Sequence, residues 1–308
     1  MGMNHKGIYN IMMETIHSFL STALSPDSPV PGYRYHLAAM QSIAIFIEIT
    51  SMMNAEDILA LHQQEVLQLL SYYLVNITTL YQACGSDVIA YMQYIVYYAL
   101  SQFLFYHAHK LQPMVCVQVT TTLLNHLDAE STGPKALSYH SYRYLLSSLL
   151  STLENTRITI YPAPVLDLMV SRLLSLLQQM GAVYLVTEIA YGLLAHLLGS
   201  AKEGGDELRQ LWKARYQDMC SVMKARLFAV LTLCTQQSSV ISMDKYDVAR
   251  EIYEILGILA SLGEQVEVAQ FQQDGNEILQ ALESFYNHQS GKEEDGNQYN
   301  MKAILRIT

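Results

Sequence analysis

Few residues in this chain combine a reactive type with a useful spacing, and two carboxylates in apolar surroundings come first. Glu48 is the only charged side chain between Leu37 and Met53. Glu188 lies in VYLVTEIAYGLLAHLL, Val183 to Leu198, whose other ionisable groups are His196 and two tyrosines. A carboxylate in so apolar a helix must be paired, protonated or turned to a wet cavity, since burying it unpaired costs on the order of several kcal/mol. Glu188 and His196 stand about 80° apart around a helix, on adjoining faces. With Glu48 and neighbouring tyrosines they could line an enclosed pocket for a small molecule or a reaction. A buried polar network that anchors helix ends uses the same residues.

Metal chemistry has one thin basis. Glu14-Thr15-Ile16-His17 has the Glu-x-x-His spacing that carboxylate-bridged di-iron bundles use twice, with two further glutamates. Glu48, His62 and Glu65 are the nearest candidates for the rest, but no second Glu-x-x-His exists. His107-x-His109 places two imidazoles on nearly opposite sides of a helix, so they suit a helix C-terminus better than a ligand pair. No metal and no cofactor is therefore expected. The motifs of serine hydrolases, phosphate loops, dinucleotide folds and zinc proteases are also absent from the sequence.

Recognition chemistry has more support. Tyr91, Tyr94 and Tyr98 are spaced three and four apart, one stripe on a helix, and Phe105 continues the row. Tyrosine supplies contact area at small entropic cost and keeps a polar tip for a partly wet surface. Tyr139-His140-Ser141-Tyr142-Arg143-Tyr144 is a second polar-aromatic cluster at a helix start. A third candidate is Arg209 to Arg226, which holds five of the 18 cations and the sole tryptophan, Trp212. There Arg209 and Lys213 share a face, which makes this the best local site for an anionic partner.

The elements that must position these residues are helices. Periodicity near 3.6 dominates and no useful stretch alternates as an exposed strand does. Breakers at 25–32, Asn54, Gly85, Pro113, Gly133-Pro134, Pro162 to Pro164, Gly181, 199–205, 236–239 and Gly263 leave segments of one helix each. Capping residues open several of them: Asn54, Ser86 with Asp87, and Ser242. The expected fold is all-α, about a dozen antiparallel helices stacked as hairpins in an α-solenoid or α/α-toroid-like superhelix. Residues 1–286 are expected to form one helical domain, 287–300 a flexible polar linker, and 301–308 a short apolar segment docked on the body.

Composition agrees. Of 308 residues, 51% are hydrophobic and only 15% charged, against about a quarter charged in ordinary soluble chains. There are 22 tyrosines, 15 methionines and four cysteines without a Cys-x-x-Cys pair, and the net charge is −10. That charge argues against a nucleic-acid partner. The cysteine spacing and the lack of a signal-like N-terminus suggest a cytoplasmic protein. The charge-free run Val88 to His109 is long enough to span a bilayer. Its five tyrosines, its glutamines and the lack of a cluster of cations at its ends favour a helix enclosed by other helices. The leading expectation is a helical scaffold that binds a peptide or protein partner on a Tyr/Met-rich surface, and the sequence holds no catalytic motif that would make it an enzyme. The pocket lined by Glu48, Glu188, His196 and tyrosines is the alternative.

Overall fold

The computed structural model describes residues 5–23, 32–52, 56–80, 86–131, 139–179, 184–200, 205–235, 245–266 and 268–290. Among them the structure is all helical: α1 (His5–Ala23), α2 (Gly32–Met52), α3 (Glu56–Leu80), α4 (Ser86–His107), α5 (Pro113–Ser131) and α6 (Tyr139–Glu154) come first. Then follow α7 (Ala163–Gln179), α8 (Tyr184–Gly199), α9 (Gly205–Thr235), α10 (Lys245–Gly263) and α11 (Val268–Ser290), with short 3-10 turns at Ala108–Lys110 and Ile158–Ile160. Contacts divide the chain into two compact units, Met1–Ile160 and Tyr161–Thr308, where the sequence reading gives one domain over 1–286. Helix α11 also runs to Ser290, into the first residues read as linker. Residues 291–308, the rest of that linker and the apolar segment, lie outside the described residues.

The breakers act by stereochemistry. Pro113 opens α5, and the Gln112 carbonyl accepts from the N–H groups of Val115 and Cys116 at 2.9 and 3.2 Å. The Pro162 carbonyl does the same for Val165 and Leu166, so Pro164 sits in the first turn, where its missing N–H costs nothing. Gly205 enters α9 with φ of +69°, backbone that side chains rarely tolerate. At the α10–α11 turn a Cβ on Gly263 would stand 3.0 Å from the Phe271 ring, so glycine permits the close approach.

In the first unit, α1 packs on α2, α3 on α4 and α5 on α6, and the second helices of these pairs also contact each other. Gln41 meets Tyr91, and seven residues on Glu48 meets Tyr98, so α2 and α4 run parallel. His140 of α6 meets Tyr94 and, four residues on, Tyr144 meets Tyr98, so α6 runs the same way. Three parallel helices therefore stand side by side, returned by α3 and α5. Their inner faces bury Ile43, Phe46 and Ile47 of α2, Met92, Val96, Phe103 and Leu104 of α4, and Leu145, Leu146 and Leu149 of α6. Each fully buried side chain of this size contributes about 1.5–3 kcal/mol. The stretch Asp87–Lys110 is long and apolar enough to cross a membrane, and 56% of its most apolar window is buried, in contacts with α2, α3 and α6.

In the second unit α8 and α10 pack side by side, as do α7 with α9 and α9 with α11. The 31-residue α9 buries Trp212, Tyr216, Met219, Met223, Leu227 and Val230 along one stripe.

Candidate functional site

Helices α2, α4 and α6 bring a set of aromatic and polar side chains to one outward face of the first unit. The spacing of Tyr91, Tyr94 and Tyr98 stacks their rings: centroids lie 6.1 and 6.3 Å apart, with planes inclined by 21° and 14°. From α6, Tyr144 meets Tyr94 and Tyr98 edge-on at 5.5 and 5.0 Å, and His140 meets Tyr94 at 6.2 Å. From α2, the Gln41 side-chain amide donates to the Tyr91 hydroxyl at 3.1 Å, and the Tyr98 hydroxyl is bonded to the Glu48 carboxylate. Burial, and then the Glu48 charge, raise the Tyr98 pKa; burial and Tyr144 raise that of Tyr94. Both hydroxyls thus stay protonated at any physiological pH.

Much of this face meets solvent. Tyr91 is 46% exposed, Ile45 50%, Ile49 37% and Phe105 53%, while Glu48, His140 and Arg143 are exposed as well. Ile45 lies one turn after Gln41 and one before Glu48, so it belongs to the same stripe of α2. Single exposed apolar residues are ordinary, but large ones contiguous with an aromatic ladder mark interaction surfaces. The Arg143 guanidinium lies 5.7 Å from the centroid of the neighbouring Tyr144 ring, within cation–π range.

Glu48 therefore joins the tyrosine row. Sequence reasoning found the tyrosines and Glu48 but missed Gln41, Ile45 and Ile49. Their helical spacing around Glu48 is the signal that could have found them. Methionine adds little here: Met13, Met40, Met92, Met169, Met219 and Met223 are buried, and the exposed Met114 belongs to α5. Tyr139 begins α6, but its side chain lies outside the described residues.

The remaining candidates are placed elsewhere. Glu188 of α8 is ion-paired with Arg250 of α10, with side-chain exposures of 26% and 56%. His196 is half-buried further along α8. Trp212 is wholly buried, which corrects its reading as a contact residue. The basic segment of α9 is largely engaged inside the second unit. Arg215 forks onto Asp167 of α7 at 2.6 and 2.8 Å, and Lys224 bonds Asp274 and Glu277 of α11 at 2.7 and 2.6 Å. Arg226 pairs with Glu251 of α10, which is fully buried and also accepts from the Tyr191 hydroxyl at 2.9 Å. Arg209 stays at the surface, 3.6 Å from Asp206, and Lys213 is exposed. Three of the five cations are thus braced against acids of neighbouring helices, and Arg209 and Lys213 are the two at the surface.

His17 meets Glu65 at 2.5 Å as a surface pair between α1 and α3. The His62 side chain lies outside the described residues. Among those that are described, no group of three His, Cys, Asp or Glu side chains is arranged to hold a metal ion. His107 is buried against Phe103 while His109 is exposed, so the two do not form a pair. A polar crevice of about 420 Å³ lies between the start of α5 and the end of α6, lined by Cys116, His109, Glu154 and Arg157 among others. An apolar trough of similar size lies on α10 and α11. Neither cavity is lined by Glu48, Glu188 or His196.

Comparison with known proteins gives no match: no family model, no curated protein and no solved structure corresponds to this chain.

Proposed function

We propose that this protein is a helical scaffold that binds a peptide or partner helix on the tyrosine face of α2, α4 and α6. The observation that carries the reading is the stacked row Tyr91–Tyr94–Tyr98, flanked by exposed Ile45 and Ile49 on one side and by His140 and Tyr144 on the other. Stacked hairpins of this kind suit a helical-repeat architecture, in which one row of parallel helices offers a broad surface. The exposed Tyr91 ring and Glu48 favour a segment with an arginine or lysine set between aliphatic residues, as does the net charge of −10. A reducing, cytoplasmic setting belongs to the same proposal and accords with the buried free thiols of Cys116 and Cys220. The pocket alternative has less to rest on, since Glu48 is exposed and Glu188 is paired with Arg250 near the surface.

The test is a selection of peptides from a random library on the intact chain. Binding of the winners is then measured to Tyr91→Ala and Ile45→Asp, both at exposed positions. The expected result is basic-aliphatic peptides that lose at least about tenfold in affinity, or about 1.4 kcal/mol, on each variant while the melting temperature stays within error. Peptides that bind both variants as tightly as the parent chain would refute the proposal.

A further inference from the structure

The second unit has an apolar trough at the place where its helix pattern stops. Helix α9 follows α7 and α10 follows α8, each packed beside its predecessor. Helix α11 takes its place beside α9. Among the described residues no further helix stands beside α10. The trough left there, of about 420 Å³, is lined by Tyr253, Gly257 and Ala260 of α10 and by Phe271, Gly275 and Leu279 of α11, with others. Tyr253 is 55% exposed and Leu279 42%. A Cβ built on Gly257 meets nothing within 4 Å, and one on Gly275 meets only the Phe271 ring, at 3.7 Å. The floor is therefore open to close approach by another backbone, and the walls are apolar.

We infer that Met301–Thr308 of this same chain docks in the trough and completes the hairpin that α11 begins. The segment, MKAILRIT, lies outside the described residues. Wound as a helix it places Met301, Ile304 and Leu305 on one face and Lys302 with Arg306, four apart, on a flank. The cations match the rim, where Glu254 lines the trough and exposed Glu283 stands one turn beyond Leu279. The connection is long enough. Ten residues, 291–300, span up to about 33 Å when extended, whereas Ser290 lies only about 16 Å along the α11 axis from Leu279. Docked so, the segment covers the apolar end of the unit and turns its charged flank outward, as terminal elements of helical stacks do. The inference stands apart from the tyrosine face of the first unit.

Amide hydrogen exchange on the full chain tests it, with the free octapeptide as reference. The amides of 301–308 are expected to exchange at least tenfold more slowly in the chain than in the peptide. Gly257→Arg sets a long cation on the open floor and should return the segment to the peptide's rate while α9 keeps its protection. Ile304→Asp, on the segment itself, should do the same and also speed exchange near Tyr253 and Leu279. This second variant decides the matter should Gly257→Arg fail to fold. A wild-type segment exchanging as fast as the peptide overturns the inference. So does protection that survives either variant in a folded chain. It also falls if Gly257→Arg turns a dimer into a monomer in sedimentation without changing exchange at 301–308, because a second copy would then be the occupant.

Discussion

Glu251 is the residue on which the packing of α8, α9 and α10 turns. Its side chain has no exposure, and one carboxylate oxygen accepts from both the Tyr191 hydroxyl and the Arg226 guanidinium. Arg226 itself is only 12% exposed. An ion pair this deep is weak evidence for stability as a whole, because desolvation offsets most of the attraction. Removing one partner is different, since it leaves the other charge buried alone. Glu251→Ala is therefore expected to lower unfolding free energy by about 3–5 kcal/mol, read from the urea midpoint. The double variant Glu251→Met with Arg226→Met should recover most of that loss, and a double variant as unstable as the single one would disprove the account. The sequence pointed to Glu188 instead, and the reason is physical. Glu188 stands among apolar neighbours in the chain, whereas Glu251 sits amid Lys245, Asp247, Arg250 and Glu254, so local composition hides its burial. Helical phase shows it: Glu251 falls in line with Ile255, Ile258 and Leu262, all buried.

At the scale of elements, α9 shows what a sequence can and cannot disclose about a helix. The tyrosine row of α4 follows from spacing alone, and so does the helical period of α9, though not the burial of Trp212. The partners of its cations do not, because Asp167 and Asp274 lie 48 and 50 residues away from the side chains they hold. Only the packing register brings them together, and the same holds for Gln41 and Glu48 against the tyrosines. Asp274 joins α11 to α9 by accepting from Tyr216 at 2.8 Å and Lys224 at 2.7 Å. Asp274→Ala should cost about 1–3 kcal/mol, with Glu277 retaining part of the Lys224 contact. Burial alone would raise the Asp274 pKa, but the bonds from Lys224 and Tyr216 outweigh it and hold the value below the ordinary one. A depressed carboxyl pKa gives stability that is complete above about pH 4 and is lost as pH falls through the folded value. The difference between parent and Asp274→Ala midpoints should accordingly shrink between pH 7 and pH 3. A constant difference would show that the carboxylate charge is not what joins the helices.

The two units differ in the chemistry of their buried polar contacts, and this sets the behaviour of the whole molecule with pH. Between Ser71 and Leu127 the only formally charged side chains are Asp87 and Lys110. The first unit instead uses tyrosine–histidine bonds, His36 to Tyr73 at 3.2 Å and Tyr97 to His126 at 2.8 Å. Burial lowers the pKa of both histidines, so each ring is held neutral with its Nδ1 bonded to the hydroxyl. The unfolded chain then binds more protons than the folded one. Stability is full above the ordinary histidine value of about 6.5 and declines as pH falls from there toward the folded values, by about 1.4 kcal/mol per histidine for each pH unit between the two. The second unit relies on ion pairs whose acids titrate lower, among them Asp167, held down by its bonds from Arg215. Trp212, the sole tryptophan, is fully buried in that unit and reports on it alone, whereas far-ultraviolet circular dichroism reports on both. Lowering the pH from 7.5 to 5.5 should move the early part of the dichroism urea transition to lower urea and leave the Trp212 transition nearly in place. Below about pH 4 the Trp212 transition should follow. Replacing His126 by Phe should reduce the first shift to the part that His36 contributes, since a ring that cannot take a proton adds no pH dependence. If both probes shift together between pH 7.5 and 5.5, with or without His126, the two units unfold as one and the histidine bonds do not govern the acid response.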